Sequence, residues 1–501
     1  MSILLLTKNP GRKLGILILT LIILGSALRF YHLSEQSYWM DEGYTVNAVI
    51  SVVESGSTTL DSGQYYNCPT YCYPTAVLVK QFGDSPANYR VLATLAGIAF
   101  IGAIFFITRR LFTTHIALLT SFFITFSYWH IAWSRQARWY TLFVLFFWTA
   151  LYFFYKLLYD DHNKWRNALL TTIFTIATIF THGLGYLLPL IFVIWALIDK
   201  FLFKKNLTKK YLGWITLLGA LVLMLAEYRM GIVSNLSLHY QLPYYLSFYL
   251  RSYWLFIALG IYGFFTLYQT YRKEYLFLFT ILLTYLIPLS FLTNVVHYRY
   301  LFHITPVFFI FGALGLVALY TEIKPLWART LLLATVLALF ATVGGGVLIP
   351  QTHYYLESDN FETLGDRPHY AYTPQPDWNG AYAYIKAERG PEDLIISSHP
   401  HFNKIFLQEP GYWLAYNYLG FDDRTEHRTP DNREYYVGAE VIDNLTVLQN
   451  IVVGNHGYIV FDFMATDGRL EDDLLSYIEN TFELVYTDET NNHSMIWVYR
   501  F

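Results

Sequence analysis

Charge is scarce in this chain. Asp, Glu, Lys and Arg make up 14% of its 501 residues, against about 25% in soluble domains. Cysteine is scarcer still, with Cys68 and Cys72 alone, too few ligands for a structural zinc or iron–sulfur centre. There is no internal repeat and no low-complexity tract. Lysine is also missing from one whole set of loops. Outside the C-terminal tail, only Lys80 interrupts its absence there.

What fills the chain instead is apolar, with 55% of residues hydrophobic and 19% aromatic. Runs at 14–28, 91–107, 116–126, 142–155, 169–180, 186–197, 214–226, 254–266, 275–292, 301–320 and 331–349 read as bilayer segments, some short of the roughly 20 residues a helical span needs. Aromatic flanks can supply their interfacial ends. About eleven transmembrane helices are expected. The first follows Lys8, Arg12 and Lys13 but is longer than a signal-peptide core of roughly 7–15 residues, so an uncleaved helix is expected. Alternate loops carry the lysines, which makes them cytoplasmic by the positive-inside rule. The other set (32–87, 131–138, 181–185, 229–250, 293–300 and everything after about 350) then faces outward. Arg29, Arg90, Arg135, Arg138, Arg229, Arg251 and Arg299 fall in or at the borders of these stretches against the rule, so they need another reason.

The resulting division is a membrane-embedded part, 1–350, including the long first outer loop 32–87, and an outer domain, 351–501. The loop is rich in Tyr, Ser and Gly, which suits short amphipathic helices at the interface. Its "NCPTYC" places Cys68 and Cys72 close enough, in an oxidising compartment, to form a disulfide. After 350, "DWNGAYAYIKAERGPEDLIISSHP" reads as helix, turn and strand, with Gly390-Pro391 as punctuation. "GYIVFDF" reads as a buried strand, "EDDLLSYIENTF" as an amphipathic helix, and "ELVYTDETNNHSMIWVYRF" as a closing hairpin, together a small α/β domain. Sequons at Asn235, Asn444 and Asn492 fall on the outward side.

Polar residues gather at outward helix ends: Asp41-Glu42 after the first span, Tyr89-Arg90 at the second, and "SRQARWY" (134–140) between the third and fourth. "THG" (181–183) ends the fifth, and "HYRYLFHITP" (297–306) begins the tenth. Distant in sequence, they share one side of the expected topology. Such a site can hold an amphiphile's head group while its tail stays in lipid. Arginine binds phosphate bidentately, tyrosines such as Tyr140 and Tyr300 add donors, and a carboxylate serves as general base toward a hydroxyl. Together they describe displacement at a carbon bearing a phosphate leaving group, whose growing charge the arginines stabilise. Asp41 and Glu42 point about 100° apart on a helix, unlike the facing carboxylates of a glycosidase. Asp41 is the candidate base and Glu42 the second candidate catalytic carboxylate, anchoring the loop to Arg29 or Arg90. Tyr44 seats the loop at the lipid interface. His399 and His401 in "SSHPH" look like a metal pair but lack a nearby carboxylate and are taken as structural.

"RFYHLSEQSYWMDEGYTVNAVISVVESG" (29–56) followed by "KQFGDSPANYRVLATLAG" (80–97) resembles the opening of GT-C class glycosyltransferases, nearest the protein mannosyltransferases and the lipid A aminoarabinose transferases. The resemblance runs through Asp41-Glu42, Phe82-Gly83 with Arg90, Arg135/Arg138/Tyr140, Thr181-His182 and Arg299-Tyr300 with Pro306, over residues 25–310 and loosely into the tail. It implies a GT-C type polytopic helical fold and an inverting transferase that moves a monosaccharide from a polyprenyl-phosphate-linked donor to an acceptor hydroxyl at the outer face of the cell membrane. It also implies Asp41 as base, with Arg90, Arg135, Arg138, Tyr140, His182, Arg299, Tyr300 and Tyr44 as donor phosphate and head-group contacts. Partners are then membrane lipids, the lipid-linked sugar and an acceptor (protein, lipid or glycan), with no nucleic acid. Where the aminoarabinose transferases carry Glu-Lys-Pro and the mannosyltransferases an acidic-His-Pro-Pro stretch, this chain has Asn67-Cys68-Pro69. A divalent metal, used in parts of the family, therefore lacks its usual ligands here. The Trp-Trp-Asp-Tyr-Gly signature of oligosaccharyltransferases is missing from the tail.

Two other readings compete. A transporter or flippase places polar groups at mid-membrane on broken helices, often in repeated halves. Here mid-span positions are apolar and no repeat is present. A non-catalytic scaffold would be indifferent to Asp41→Asn.

Overall fold

The computed structural model describes residues 10–203, 238, 240–292, 297–342, 345–351, 376–416, 427–466, 470–488 and 496–501. The expected span at 214–226, Arg229, and the sequons at Asn235 and Asn492 lie outside them. Every other expected apolar run overlaps a helix or a helix pair, although the run at 331–349 outlasts its helix, which ends at Thr342. Among the described residues, Lys13–Phe30, Pro86–Leu111, Tyr140–Tyr159, Gly183–Leu202 and Arg272–Phe291 are long and apolar enough to cross a membrane. Leu242–Ser252 with Trp254–Leu267, and Tyr298–Ile304 with Pro306–Glu322, pass the same test together but bend by 91° and 52°, giving up to seven spans if each pair is one. Thr114–Phe126 and Leu326–Thr342 are shorter apolar helices, and Lys164–Thr181 opens on Lys164 and Arg166. The protein is a multi-pass helical membrane protein with a small mixed-sheet domain at its C-terminal end.

The chain divides into two compact units. The first comprises Met1–Tyr31, Ala93–Arg135 and Trp139–Gln351; the second comprises His32–Leu92, Gln136–Arg138 and Thr352–Phe501. The first loop, grouped with the membrane part on sequence, therefore packs with the C-terminal domain.

In the first unit, small residues let helices approach closely, as expected where lipid removes the hydrophobic drive between them. Trp254–Leu267 and Pro306–Glu322 meet at glycines: a Cβ on Gly315 would stand 1.8 Å from the Leu259 carbonyl oxygen, and one on Gly263 2.7 Å from the Gly315 nitrogen. A second device is Arg29. Thr114–Phe126 ends at Ser127, which leaves its last carbonyls without helical donors. Arg29, fully buried, donates from Nη1 to Thr125 O at 3.2 Å, from Nη2 to Ile124 O at 3.3 Å and from Nε to Ser134 Oγ at 3.1 Å.

In the second unit, four strands run parallel: β1 (Leu394–Ser397), β2 (Tyr412–Leu414), β3 (Glu440–Ile442) and β4 (Gly457–Asp462). β5 (Glu483–Thr487) and β6 (Ile496–Arg500) form the expected antiparallel hairpin, and the sheet order is β3-β2-β1-β4-β6-β5. Ile396, Leu414, Ile459 and Phe461 bury one face against Leu448 and Ile478 of two flanking amphipathic helices. The first loop adds two helices. Met40–Ser55 stops at Gly56 in the left-handed conformation (φ 78°). Pro69–Phe82 starts on a proline, whose missing N–H costs nothing at the first helical position. A disulfide joins Cys68 to Cys72 there. Ser37 Oγ donates to Asp377 Oδ1 at 3.0 Å, tying the first loop to the helix Trp378–Glu388.

Candidate active site

Asp41 and Glu42 open the helix Met40–Ser55, where unpaired backbone N–H groups favour anionic side chains. Their environments differ sharply. Glu42 is fully buried. Its Oε1 accepts from Arg90 Nε at 2.9 Å, and its Oε2 accepts from Arg90 Nη2 at 3.0 Å and from Trp39 N at 3.1 Å. Ala137 N donates to Oε1 as well. Arg90, equally buried, donates further to the carbonyls of Leu33 and Gln36, both at 2.9 Å, and of Ser37 at 3.3 Å. The loop anchor expected of Glu42 is thus present, with Arg90 rather than Arg29 as its partner. A carboxylate with both oxygens bonded and no exposure cannot reach a substrate. A guanidinium committed to that carboxylate and three carbonyls is a loop clamp rather than a phosphate ligand.

Asp41 keeps 14% of its side chain exposed. Arg138 brackets it, with Nη1 donating to Asp41 O, Thr45 Oγ1 and Tyr66 OH, each at 2.8 Å, and Nη2 standing 3.5 Å from Asp41 Oδ2. The expected contact Tyr44 is stacked on Tyr436 (ring centroids 3.7 Å, interplanar angle 12°), and Tyr66 meets Tyr436 edge-on at 6.4 Å. Burial and neighbouring phenols and carboxylates hold Tyr44 well above its ordinary range; burial, Tyr66 and Asp41 do the same for Tyr436. Both remain neutral hydrogen-bonding groups at pH 7. Thr45, Tyr66 and Tyr436 were not foreseen. Thr45 follows from helical spacing, since i and i+4 share a face, whereas no local signal marks Tyr436, which lies in a different part of the chain.

The first unit assembles another expected group. His182 caps the turn Gly183–Leu187, with Nδ1 accepting from Leu184 N at 3.1 Å, so Nε2 carries the proton of the neutral tautomer. Its ring lies 5.7 Å from that of Tyr140 and 5.8 Å from that of Tyr300. Arg299 stands 6.0 Å from the Tyr300 ring centroid. Arg135, 1% exposed, is built into the protein interior: Nη1 donates to Arg29 O at 3.0 Å and also to Tyr31 O.

A divalent metal, admitted by the resemblance, needs several convergent hard ligands. Among the described residues no group of three or more His, Cys, Asp or Glu could hold one, and Glu42 is fully occupied.

The fold is that of GT-C class membrane glycosyltransferases of known structure. ArnT from Cupriavidus metallidurans in the apo state superposes with a TM-score of 0.59 at 14% identity, covering 97% of this chain and 97% of that one. The same protein bound to undecaprenyl phosphate gives 0.56 at 14% identity, with 98% of each chain covered. The oligosaccharyltransferase AglB from Archaeoglobus fulgidus, in complex with an inhibitory peptide and a dolichol-phosphate, gives 0.56 at 11% identity over 98% of this chain and 74% of that one. The family of dolichyl-phosphate-mannose-protein mannosyltransferases matches residues 67–227, a stretch that includes "SRQARWY" and "THG" but not Asp41. No curated protein matches the chain.

Proposed function

We propose that the protein is an inverting glycosyltransferase that moves a monosaccharide from a polyprenyl-phosphate-linked donor to an acceptor hydroxyl on the extracytoplasmic side of the cell membrane. The observation that carries this reading is the asymmetry of the carboxylate pair. Glu42 is consumed by Arg90, while Asp41 stays partly exposed beside Arg138 and a group of neutral tyrosines.

In the proposed reaction the acceptor oxygen attacks the anomeric carbon from the face opposite the phosphate. Its proton passes to Asp41 as the new C–O bond forms, and the bond to the phosphate oxygen breaks. The leaving group departs as a polyprenyl phosphate, so no nucleotide is required. Charge growing on that phosphate calls for fixed donors, a role proposed for Arg299, Tyr300, Tyr140 and His182. Arg138 holds the Asp41 main chain and carboxylate in place. The bound lipid phosphates of ArnT and AglB support a lipid-linked donor for a chain of this fold.

Purified protein incubated with a panel of polyprenyl-phosphate sugars and scored for sugar transfer tests the proposal. Turnover with one panel member and inversion at the anomeric carbon are expected. Turnover with a nucleotide sugar alone would overturn it.

A further inference from the structure

The motif SSHPH (397–401) has no part in the reaction described above. It leaves β1 where the sheet reverses direction: from β1 the chain runs to β2 and β3, then returns to β4 on the other side of β1. The carboxyl ends of such strands are where open α/β sheets commonly place ligands. Here His399 Nε2 faces Asp462 Oδ2, at the end of β4, at 3.4 Å with both side chains 4% exposed. Tyr416, just past β2, brings its hydroxyl to 3.4 Å from the same nitrogen.

The next residues support the helix that carries Asp41. A Cβ on Gly43 would stand 2.4 Å from His401 Cδ2, 2.8 Å from His401 Nε2 and 3.0 Å from Phe402 Cε1. One turn on, Asn47 Nδ2 donates to His401 O at 2.9 Å and to Gly43 O at 3.0 Å. The Tyr44 ring lies 4.4 Å from that of His401. Burial, with His399 nearby, keeps the His401 imidazole neutral at pH 7. His401 Nε2 and Asn47 Oδ1 are buried without a hydrogen-bond partner. Unsatisfied groups of this kind destabilise a fold by roughly 1–3 kcal/mol each, whereas apolar side chains of the same shape would not. Stability alone does not account for an imidazole and an amide at this seam.

We propose that His401 and Asn47 are positioning residues that fix the height and rotation of the helix Met40–Ser55, and through it aim the Asp41 carboxylate. The assignment rests on Asp41 being the base. The lever is short: Gly43, in contact with His401, lies two residues beyond Asp41, and a displacement of about 1 Å at a reacting group can cost roughly 10²-fold in rate.

The test compares Gly43→Ala, Asn47→Ala, His401→Gln and the pair Gly43→Ala/His401→Ala with Asp41→Asn. kcat and KM are measured with the polyprenyl-phosphate sugar that turns over, binding is measured with undecaprenyl phosphate, and folded fraction by size exclusion. Gly43→Ala and Asn47→Ala are expected to lower kcat per folded molecule by roughly 10- to 100-fold while KM and undecaprenyl phosphate affinity change less than threefold. Removing the imidazole should restore part of the Gly43→Ala loss, because it clears the space that the new methyl needs. The inference is overturned if these variants keep wild-type kcat per folded molecule while Asp41→Asn is inactive, or if kcat falls only in step with folded fraction. An active Asp41→Asn would remove the base assignment, and this one with it. Should Gly43→Ala fail to fold, Asn47→Ala and His401→Gln decide the question alone.

Discussion

Arg90 grips Glu42 with two hydrogen bonds, at 2.9 and 3.0 Å, and neither side chain has any exposure to solvent. Removing one partner of such a pair strands a buried charge, at a cost of about 3–5 kcal/mol. Glu42→Ala and Arg90→Ala should each lower the thermal midpoint of the purified protein and the yield of folded material. The double variant Glu42→Ala/Arg90→Leu should recover part of the loss. Single variants as stable as the wild type would remove the clamp from this account.

The neighbouring carboxylate should behave in the opposite way. Asp41 is partly exposed and its contact to Arg138 is long, at 3.5 Å, so Asp41→Asn should leave the thermal midpoint almost unchanged. Loss of a general base typically lowers turnover by roughly 10²- to 10⁴-fold. Steady-state transfer rates measured beside a melting curve separate the two effects. An active Asp41→Asn, or one that loses activity only by unfolding, contradicts the assignment.

Glu434 gives the second unit a pH dependence. Burial pushes its carboxyl up to about 7, even though the N–H groups of Val437 and Tyr436, 2.7 and 2.9 Å from Oε2, favour the charged form. An acid whose pKa is raised by folding contributes stability below its unfolded value, and that contribution is lost as pH rises through the folded value. Unfolding free energy should therefore decline between pH of about 4.5 and about 7 and level off above, by at most about 3 kcal/mol. Glu434→Gln should flatten that slope. Denaturant titrations at pH 5 and pH 8 measure it, and an identical slope in the variant would count against the reading.

Gly315 sets the approach of two helices in the membrane-embedded unit. A methyl there would meet the Leu259 carbonyl at 1.8 Å, whereas one at Gly102 would meet only Ile22 Cδ1, at 3.8 Å. Gly315→Ala is expected to destabilise by about 1–3 kcal/mol through overpacking, and Gly102→Ala to be neutral. Unfolding in mixed micelles compares them, and equal stability of the two variants would argue against close packing at Gly315.

Most of the fold was legible because its signals are local. Apolar runs marked the helices, and strand alternation with amphipathic spacing marked the C-terminal sheet and its flanking helices. The arginines were harder to read. Their position against the charge rule suggests phosphate contacts for Arg90 and Arg135 and a carboxylate anchor for Arg29, yet all three donate to main-chain carbonyls. Sequence neighbours do not reveal whether a guanidinium meets a carbonyl or a ligand, because its acceptor comes from another segment. The divergence of Asp41 and Glu42 was visible in helical periodicity. The anchored one, Glu42, is expected to meet Arg29 or Arg90, and the choice between these two, on separate helices, came only from the packing. Tyr436 and His401 could not have been placed beside Asp41 at all, since only the packing of the second unit brings them there.

That second unit is assembled from three separated pieces of chain, and this sets an order of events during synthesis. Residues 32–92 emerge early, but Ser37 has no Asp377 to bond, and the helix Met40–Ser55 has no His401 to rest on, until the last third of the protein is made. The proposed catalytic carboxylate is thus finished by residues that leave the ribosome long after its own helix. A chain cut short before residue 376 would keep its long apolar helices and lose the support of its chemistry.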